Sequence, residues 1–181
     1  MSVPPVGEQL SVATAEGMRA LGRRLAGLLR AGDLVVLSGG LGAGKTTLVQ
    51  GLADGLGVRG PVTSPTFVIS RVHPSLVGGP ALVHVDAYRV GGLGELDDLD
   101  LDTSLDEAVT VVEWGSGLVE DLAASRLEVE LRRRTGHAAA GPGGGADEAV
   151  ELDEAAELDE PRRVVLRGVG ERWRGVQLPG A

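Results

Sequence analysis

Residues 34–50 contain the pattern that most constrains how this chain can fold. The run Leu34-Val35-Val36-Leu37 is apolar throughout, which is typical of a strand covered on both faces. It is followed by the glycine-rich stretch Gly39-Gly40-Leu41-Gly42-Ala43-Gly44-Lys45-Thr46. That stretch satisfies G-x-x-x-x-G-K-[ST] in full, and a helix is predicted after it, from about Thr46 to Leu56. A strand, a tight loop and a helix are therefore expected in succession.

This loop has the chemistry of a phosphate-binding P-loop. Its glycines let backbone N–H groups converge on phosphate oxygens, and the helix that follows directs its positive end at the same anions. Lys45 would reach the β- and γ-phosphates, and the Thr46 hydroxyl would bind Mg²⁺. Of the 17 basic residues only Lys45 is a lysine. We therefore expect a nucleoside triphosphate and magnesium as ligands.

The rest of the chain alternates between strand and helix patterns. Thr14 is a candidate N-cap for a first helix, and Gly32 a candidate stop for it. Further strands are predicted at 67–69, 82–85, 109–112, 126–132 and 164–166. The 126–132 strand is expected to be half-exposed and edge-like, because its apolar residues alternate with charged ones. These patterns predict an α/β fold: a three-layer P-loop NTPase-like domain with a mostly parallel central sheet and additional antiparallel edge strands.

Composition narrows the class of protein. A chain of 181 residues suits a single domain spanning 1–181, and the Ala-, Gly- and acid-rich 138–160 segment is predicted to be a flexible insertion. The absence of cysteine excludes disulfides, thiolate zinc sites and cysteine nucleophiles. With no signal peptide pattern and no apolar run of about 18–20 residues, a cytoplasmic protein with no membrane contact is expected.

The net charge of −9 is unevenly distributed. Segments 94–107 and 147–160 hold seven and eight acidic residues, and neither holds a basic one. The remainder of the chain has 11 acidic and 17 basic residues. This balance suits phosphate-bearing ligands or an RNA-associated partner. The alternative, that short acidic runs only keep loops soluble, is equally compatible with the pattern.

Two further predicted strands end in a carboxylate. Glu113 follows the 109–112 strand. In P-loop proteins an acid at the end of a strand beside the loop holds Mg²⁺, so Glu113 is the candidate metal ligand. The alternative is a surface glutamate at a strand end. Asp86 follows the 82–85 strand and is either a rival for the metal or the group that orients the attacking water. His84 alone is more typical of a core or edge histidine. Trp114 could pack over a nucleotide or close the edge of the core.

Three other segments leave their roles open. The sequence Ser64-Pro65-Thr66-Phe67 suits a nucleotide-sensing loop or an ordinary turn into a strand. Arg89 is placed to contact phosphate or to pair with the acidic run after it. The Arg132-Arg133-Arg134 run could contact RNA, but the solvated end of a strand is the simpler interpretation.

Taken together, four motifs resemble the TsaE family, the small bacterial ATPases of tRNA threonylcarbamoyladenosine synthesis. They are Leu41-Gly42-Ala43-Gly44-Lys45-Thr46-Thr47, Ser64-Pro65-Thr66-Phe67, His84-Val85-Asp86-Ala87-Tyr88-Arg89 and Val112-Glu113-Trp114. Their order and spacing match over roughly residues 8–135. The resemblance implies that ATP and Mg²⁺ are the cofactors. It also implies that TsaD and TsaB are the partners, with tRNA contacted only indirectly through their complex.

The resemblance also implies roles for individual residues. Thr46 and Glu113 would hold Mg²⁺, and Lys45 and Asp86 would be catalytic, with Asp86 beside the γ-phosphate. Either Arg162 or Arg163 would approach the nucleotide from the late strand region. The predicted nucleotide-binding set is Thr14, Gly40, Leu41, Gly42, Ala43, Gly44, Lys45, Thr46, Thr47, Thr66, Asp86, Trp114 and Arg162. Two departures from the family pattern are Gly40, where an acid is usual, and the 138–160 insertion.

Three classes of function are compatible with the P-loop. The first, which the resemblance implies, is a partner-activated ATPase that resets the TsaB–TsaD complex between turnovers. In that family the complex, and not the ATPase, attaches threonylcarbamoyl to adenosine 37 of tRNA. The second is a small-molecule kinase, which would need an acceptor pocket and usually an arginine-rich lid. The third is a nucleotide switch that does not hydrolyse. A GTPase is not favoured, because the only lysine lies in the P-loop and none is left for a guanine-reading motif.

Overall fold

The computed structural model describes residues 6–63, 70–87, 106–114, 123–133 and 161–180. In chain order its elements are β1 Val6–Val12, α1 Ala15–Ala26, β2 Leu34–Gly39, α2 Lys45–Leu56, β3 Ser70–His73, β4 Ala81–Asp86, β5 Ala108–Glu113, β6 Arg126–Arg133, β7 Arg162–Val169 and a 3₁₀ turn Glu171–Trp173. These strands form one sheet in the order β1-β7-β6-β2-β5-β4-β3. The predicted strand at 67–69 and the predicted insertion at 138–160 lie outside the described residues, and the single-domain assignment stays a prediction.

The centre of the sheet is parallel and its two sides are antiparallel. Strand β2 pairs in parallel with β5 and β6, and β4 pairs in parallel with β5. Strands β1, β7 and β6 form antiparallel pairs on one side, and β3 and β4 do so on the other. Parallel and antiparallel pairings are therefore equally frequent in the described sheet. The α/β class is confirmed, whereas a mostly parallel sheet is not.

Both α-helices lie on the same face of the sheet. Met18 and Leu25 of α1 and Leu48 and Leu52 of α2 pack with inward side chains of the strands in the main core. A second buried cluster occupies the opposite face of the central strands; its core residues are Leu34, Val36, Val83, Val85, Ala87, Ala108 and Val112. Neither α1 nor α2 contributes to that cluster. The predicted three-layer arrangement is therefore not confirmed within the described ranges.

Helix α1 begins as predicted and ends earlier than predicted. The Thr14 hydroxyl accepts a hydrogen bond of 3.0 Å from the Gly17 N–H, as expected of an N-cap. The helix ends at Ala26, and the prediction that Gly32 stops it is wrong. After Ala26 the chain tightens into bonds of the i→i−3 type, beginning with the Leu28 N–H to the Leu25 carbonyl. Gly32 instead has φ +90° and belongs to the turn that enters β2.

Two strands were not predicted, and one was misplaced. Strand β1 shows inward alternation only at Leu10 and Val12, which is too short a pattern to identify a strand from sequence. Strand β3 has a single buried residue, His73. Strand β6 is not at an edge, because it is hydrogen-bonded to β2 on one side and β7 on the other. Its alternating pattern arises because only one of its faces is fully buried.

A buried ion pair fixes the start of β2, at the end opposite the glycine loop. Asp33 is 4% exposed and accepts hydrogen bonds from the Arg172 guanidinium at 2.9 and 2.8 Å. Arg172 also donates to the Leu28 carbonyl at 2.7 Å. The C-terminal 3₁₀ turn is thereby joined to the α1–β2 connection. Both the entry to β2 and, through β2, the loop beyond it gain a fixed position.

Close packing of α1 on α2 depends on glycine. A Cβ added to Gly22 would lie 2.5 Å from the Leu48 carbonyl oxygen, and one added to Gly51 would overlap the Arg19 carbonyl oxygen. At both positions the obstacle is helix backbone, which cannot move aside as a flexible side chain can. The two helices therefore approach each other as closely as they do because these residues have no side chain. This packing holds α2, and with it the first residue of the helix, Lys45, against the sheet.

We expect Gly51→Ala to destabilise the fold by about 1–3 kcal/mol, because overpacking forces the helices apart. Gly27→Ala is the matched control, since a Cβ there meets only the Arg24 carbonyl oxygen at 3.4 Å and φ is −65°. Urea unfolding of both variants measures the difference. Equal stability of Gly51→Ala and the unmodified protein would contradict the packing account.

Candidate nucleotide site

The loop between β2 and α2 has a backbone that glycine makes possible. Gly39, Gly42 and Gly44 have φ values of +147°, +68° and +99°. A Cβ on Gly39 would also lie 2.5 Å from the Leu131 carbonyl oxygen, because β6 runs directly beside the loop. A Cβ on Gly40 would meet nothing within 4 Å. The position therefore has room for the acid that is usual in the family pattern, and lack of space does not explain its absence.

The N-terminus of α2 opens directly onto this loop. Gly44 is the N-cap and, having no side chain, leaves the first N–H groups of the helix without a capping partner. Free N–H groups and the helix dipole together favour an anion at this end. Thr46 is half-buried and Thr47 is buried in this first turn. The loop thus presents a concave set of backbone donors, as the sequence pattern predicts for a phosphate cradle.

Lys45 turns back over the loop. Its amine donates to the Gly39 and Gly40 carbonyl oxygens, both at 3.0 Å, and lies 4.0 Å from the centre of the Trp114 ring. Only 6% of the residue is exposed. Burial lowers the pKa of Lys45 from its ordinary value, while the carboxylates of Glu113 and Asp86 act in the opposite direction. The amine is therefore a buried positive charge held at the centre of the loop.

The two strand-end carboxylates lie side by side. Asp86 is the last residue of β4 and Glu113 the last residue of β5, and the two are directly opposite each other in the parallel pairing. They are 8% and 3% exposed, and both are close enough to Lys45 to raise its pKa. The structure therefore brings Lys45, Asp86 and Glu113 together, although they are up to 68 residues apart in sequence.

His84 has a partner that sequence reasoning did not identify. Its Nε2 donates to the Glu113 Oε1 at 2.8 Å, and its side chain is fully buried. The sequence interpretation of His84 as a core or edge histidine is confirmed for its burial, but it did not predict this contact. His84 and Asp86 are two residues apart on one strand and so face the same side of the sheet. That spacing was the available signal, but it does not show that β5 is the neighbouring strand.

Trp114 has an uncommon backbone conformation directly after Glu113. Its φ of +61° is the only positive value at a non-glycine position in the described residues. Such a conformation costs on the order of 1–3 kcal/mol and is maintained only when the surroundings require it. Its N–H donates to the Leu37 carbonyl at 3.0 Å, and its ring faces the Lys45 amine. The Trp114 ring therefore lies beside the loop, and its packing over a nucleotide stays a prediction.

Arg133 of β6 contacts the loop and lies opposite Arg162 of β7. Arg162 is 1% exposed, whereas Arg163 is exposed, so Arg162 is the one on the helix-bearing face. Opposite Arg162 in the sheet is Arg133, whose Nη2 donates to the Gly42 carbonyl at 3.2 Å. The sequence singled out Arg133 only as part of the 132–134 run and did not predict this contact, although the inward alternation of Leu127, Val129 and Leu131 extends to it. Arg132, on the other face, pairs with Glu130.

The remaining predicted site residues fall into two groups. Thr14 is exposed, and its hydroxyl caps α1, whereas its predicted approach to the nucleotide stays a prediction. Leu41 is 84% exposed at the tip of the loop, whereas Ala43 is buried beneath it. Thr66 and the loop 64–67, together with Tyr88, Arg89 and Arg134, lie outside the described residues.

The donor chemistry of the site fits magnesium with a phosphate ligand. Thr46, Asp86 and Glu113 all offer oxygen atoms, which Mg²⁺ prefers. No group of three or more His, Cys, Asp or Glu side chains suited to a metal occurs in the described part of the chain. Mg²⁺ is ordinarily held by one or two carboxylates plus phosphate oxygens, and an all-protein cage is not required.

Comparison with known proteins decides the family. The family model for TsaE, described as threonylcarbamoyl adenosine biosynthesis protein TsaE, matches residues 12–139. The chain belongs to the TsaE family. The TsaE protein of Streptomyces coelicolor, a tRNA threonylcarbamoyladenosine biosynthesis protein, is 60% identical over 157 residues, covering 86% of this chain and 93% of that protein. The relative of the same name from Mycobacterium tuberculosis is 52% identical over 134 residues, covering 70% and 80%.

A solved structure has a similar fold. The crystal structure of YdiB from Bacillus subtilis matches with a TM-score of 0.65 at 27% identity, covering 96% of this chain and 93% of that one. Family membership, predicted from four linked motifs, is thereby confirmed. Among the described residues, no helix is long and apolar enough to cross a membrane. The cytoplasmic location stays a prediction.

We expect Gly39→Ala to weaken ATP binding more than Gly40→Ala does. At Gly39 the added methyl group combines a strained φ with a clash, which costs on the order of 1–3 kcal/mol. At Gly40 the same group enters open space. Calorimetric titration with ATP measures both affinities. A loss of equal size in the two variants would contradict the loop geometry described here.

Proposed function

We propose that this chain binds ATP with Mg²⁺ and hydrolyses it as the ATPase of tRNA threonylcarbamoyladenosine synthesis, resetting a TsaB–TsaD complex between turnovers. The observation that supports this most is the meeting of Lys45, Asp86 and Glu113 beside a glycine loop. One cation and two carboxylates at a phosphate cradle are the groups that phosphoryl transfer to water needs. Membership of the TsaE family supplies the pathway, because its relatives carry that description.

Lys45 is the group that would bind the outer phosphates. Its amine now donates to two loop carbonyls, and phosphate oxygens would take over those hydrogen bonds. Because the amine is already buried, its charge acts with little screening by water. The backbone donors of the loop and of the first turn of α2 would hold the remaining phosphate oxygens. In this role Lys45 stabilises the negative charge of the transferred group.

The carboxylates would have separate tasks. Glu113 is fixed by His84 and, together with the Thr46 hydroxyl, would hold Mg²⁺, which when bound neutralises charge on the β- and γ-phosphate oxygens. Asp86, opposite it on β4, would orient the attacking water and accept its proton. The hydrogen bond from His84 to Glu113 supports the assignment of the metal-binding task to Glu113.

Dependence on a partner protein has one structural support. Leu41 is a large apolar side chain, 84% exposed at the tip of the phosphate loop. A protein seated over this tip would cover an apolar group and exclude water from the nucleotide at the same time. Water exclusion strengthens every electrostatic contact within a site. TsaB and TsaD are the partners that family membership suggests for that contact.

Replacement of Asp86 tests the assignment. We expect Asp86→Asn to lower the rate of ATP hydrolysis by about 10²–10⁴-fold, the usual contribution of a general base, while ATP still binds. Asp54→Asn is the matched control, because Asp54 is an exposed acid of α2 that pairs with Arg23 away from the loop. Steady-state phosphate release and ATP titration provide the two readouts.

Three outcomes would contradict the proposal. Undiminished hydrolysis in Asp86→Asn would remove its catalytic role. Equal losses in the Asp54 and Asp86 variants would indicate a general effect of charge. Transfer of the γ-phosphate to a metabolite in place of water would favour a small-molecule kinase, the alternative that the sequence left open.

A further inference from the structure

We propose that His84 is a positioning residue: its hydrogen bond fixes the Glu113 carboxylate in the orientation that receives Mg²⁺. This inference rests on the proposed function, because it takes Glu113 as a magnesium ligand. It adds a residue to the site that has no direct contact with metal or nucleotide. The prediction concerns magnesium affinity in the nucleotide complex and is separate from the affinity for nucleotide alone.

The contact is short, buried and set by the register of two strands. His84 Nε2 lies 2.8 Å from Glu113 Oε1, and the two side chains are 0% and 4% exposed. In the parallel β4–β5 pairing His84 is opposite Val111, so Glu113 is its diagonal neighbour one step toward the carboxyl edge. Diagonal neighbours on one face of a sheet are within reach of aromatic and long side chains. The strand pairing therefore places the imidazole directly behind the carboxylate.

One oxygen of Glu113 is occupied by this bond. A glutamate has three rotatable bonds, and an unrestrained carboxylate at a strand end would sample several orientations. A charge-assisted hydrogen bond from an anchored imidazole selects one of them. The second oxygen, Oε2, then remains as the ligand atom. Mg²⁺ requires near-ideal octahedral geometry, so a fixed ligand oxygen matters more for it than for a larger cation.

The other ring nitrogen argues that His84 is not at this position for packing alone. An ionised carboxylate only accepts hydrogen bonds, so Nε2 carries the proton and Nδ1 is an acceptor. Nδ1 is buried, and no group in the described part of the chain forms a hydrogen bond with it. An unpartnered buried acceptor is a cost to the fold that leucine at this position would avoid. The gain that offsets it is the bond to Glu113.

The test measures magnesium dependence separately from nucleotide binding. The full-length protein is titrated with a fluorescent, non-hydrolysable ATP analogue, first in EDTA and then at increasing Mg²⁺. We expect His84→Leu to raise the Mg²⁺ concentration for half-maximal effect by about 10–100-fold, as for other groups that orient metal ligands. Affinity in EDTA is expected to stay unchanged. His84→Gln keeps a donor near the Nε2 position and is expected to retain most of the Mg²⁺ affinity that His84→Leu loses.

His73→Gln is the matched control. His73 is a second buried histidine, on the adjacent strand β3, and its Nδ1 contacts the Arg59 carbonyl, a partner other than Glu113. Its replacement removes a buried imidazole without touching the carboxylate. We expect a change in thermal stability and no change in magnesium dependence. If His84→Leu does not fold, His84→Asn, whose shorter amide does not reach Glu113, is expected to show the same magnesium shift.

The outcomes separate this inference from the proposed function. If Mg²⁺ has no effect on nucleotide binding by the unmodified protein, the proposed function itself fails. If the unmodified protein responds to Mg²⁺ and His84→Leu or His84→Asn responds identically, the positioning role is overturned. Equal losses with EDTA and with Mg²⁺ would also overturn it, because His84 would then support only the shape of the site.

Discussion

The burial of three charged side chains at one edge of the sheet is the constraint on which the site depends. Lys45, Asp86 and Glu113 are each less than 10% exposed. Burying a neutral polar group without a hydrogen bond costs roughly 2–7 kcal/mol, and an isolated charge costs more. Each of the three side chains therefore needs partners. The lysine has two carbonyls and an aromatic face, and Glu113 has a histidine. The attraction between the Lys45 amine and the two carboxylates stabilises these buried charges further.

The architecture around the site explains how these charges are held. Parallel pairing of β4, β5 and β2 brings the carboxyl ends of three strands to one edge, where ligands of α/β sheets bind. Glycine contacts lock α2 against α1, and β6 lies against Gly39. The Asp33–Arg172 pair fixes β2 at its other end. The loop is thus supported by α2, by β6 and by the fixed position of β2.

The sequence revealed the parts of this site that are local. The strand, glycine loop and helix from 34 to 56 were predicted because each carries its own pattern, and Asp86 and Glu113 because they end apolar runs. The contacts of His84 and Arg133 were not predicted, because they depend on which strand is next to which. Strand adjacency is a long-range property that no window of residues records. The same limit put β6 at an edge of the predicted sheet, when it pairs with β2 and β7.

Partner-stimulated ATP hydrolysis tests the central claim most directly. Phosphate release from ATP and Mg²⁺ is measured for this chain alone and after addition of purified TsaB–TsaD complex. The account predicts slow hydrolysis by the chain alone and faster hydrolysis with the complex. It predicts no hydrolysis by a Lys45→Ala variant under either condition. Absence of hydrolysis under both conditions, or a rate in Lys45→Ala equal to that of the unmodified protein, would contradict it.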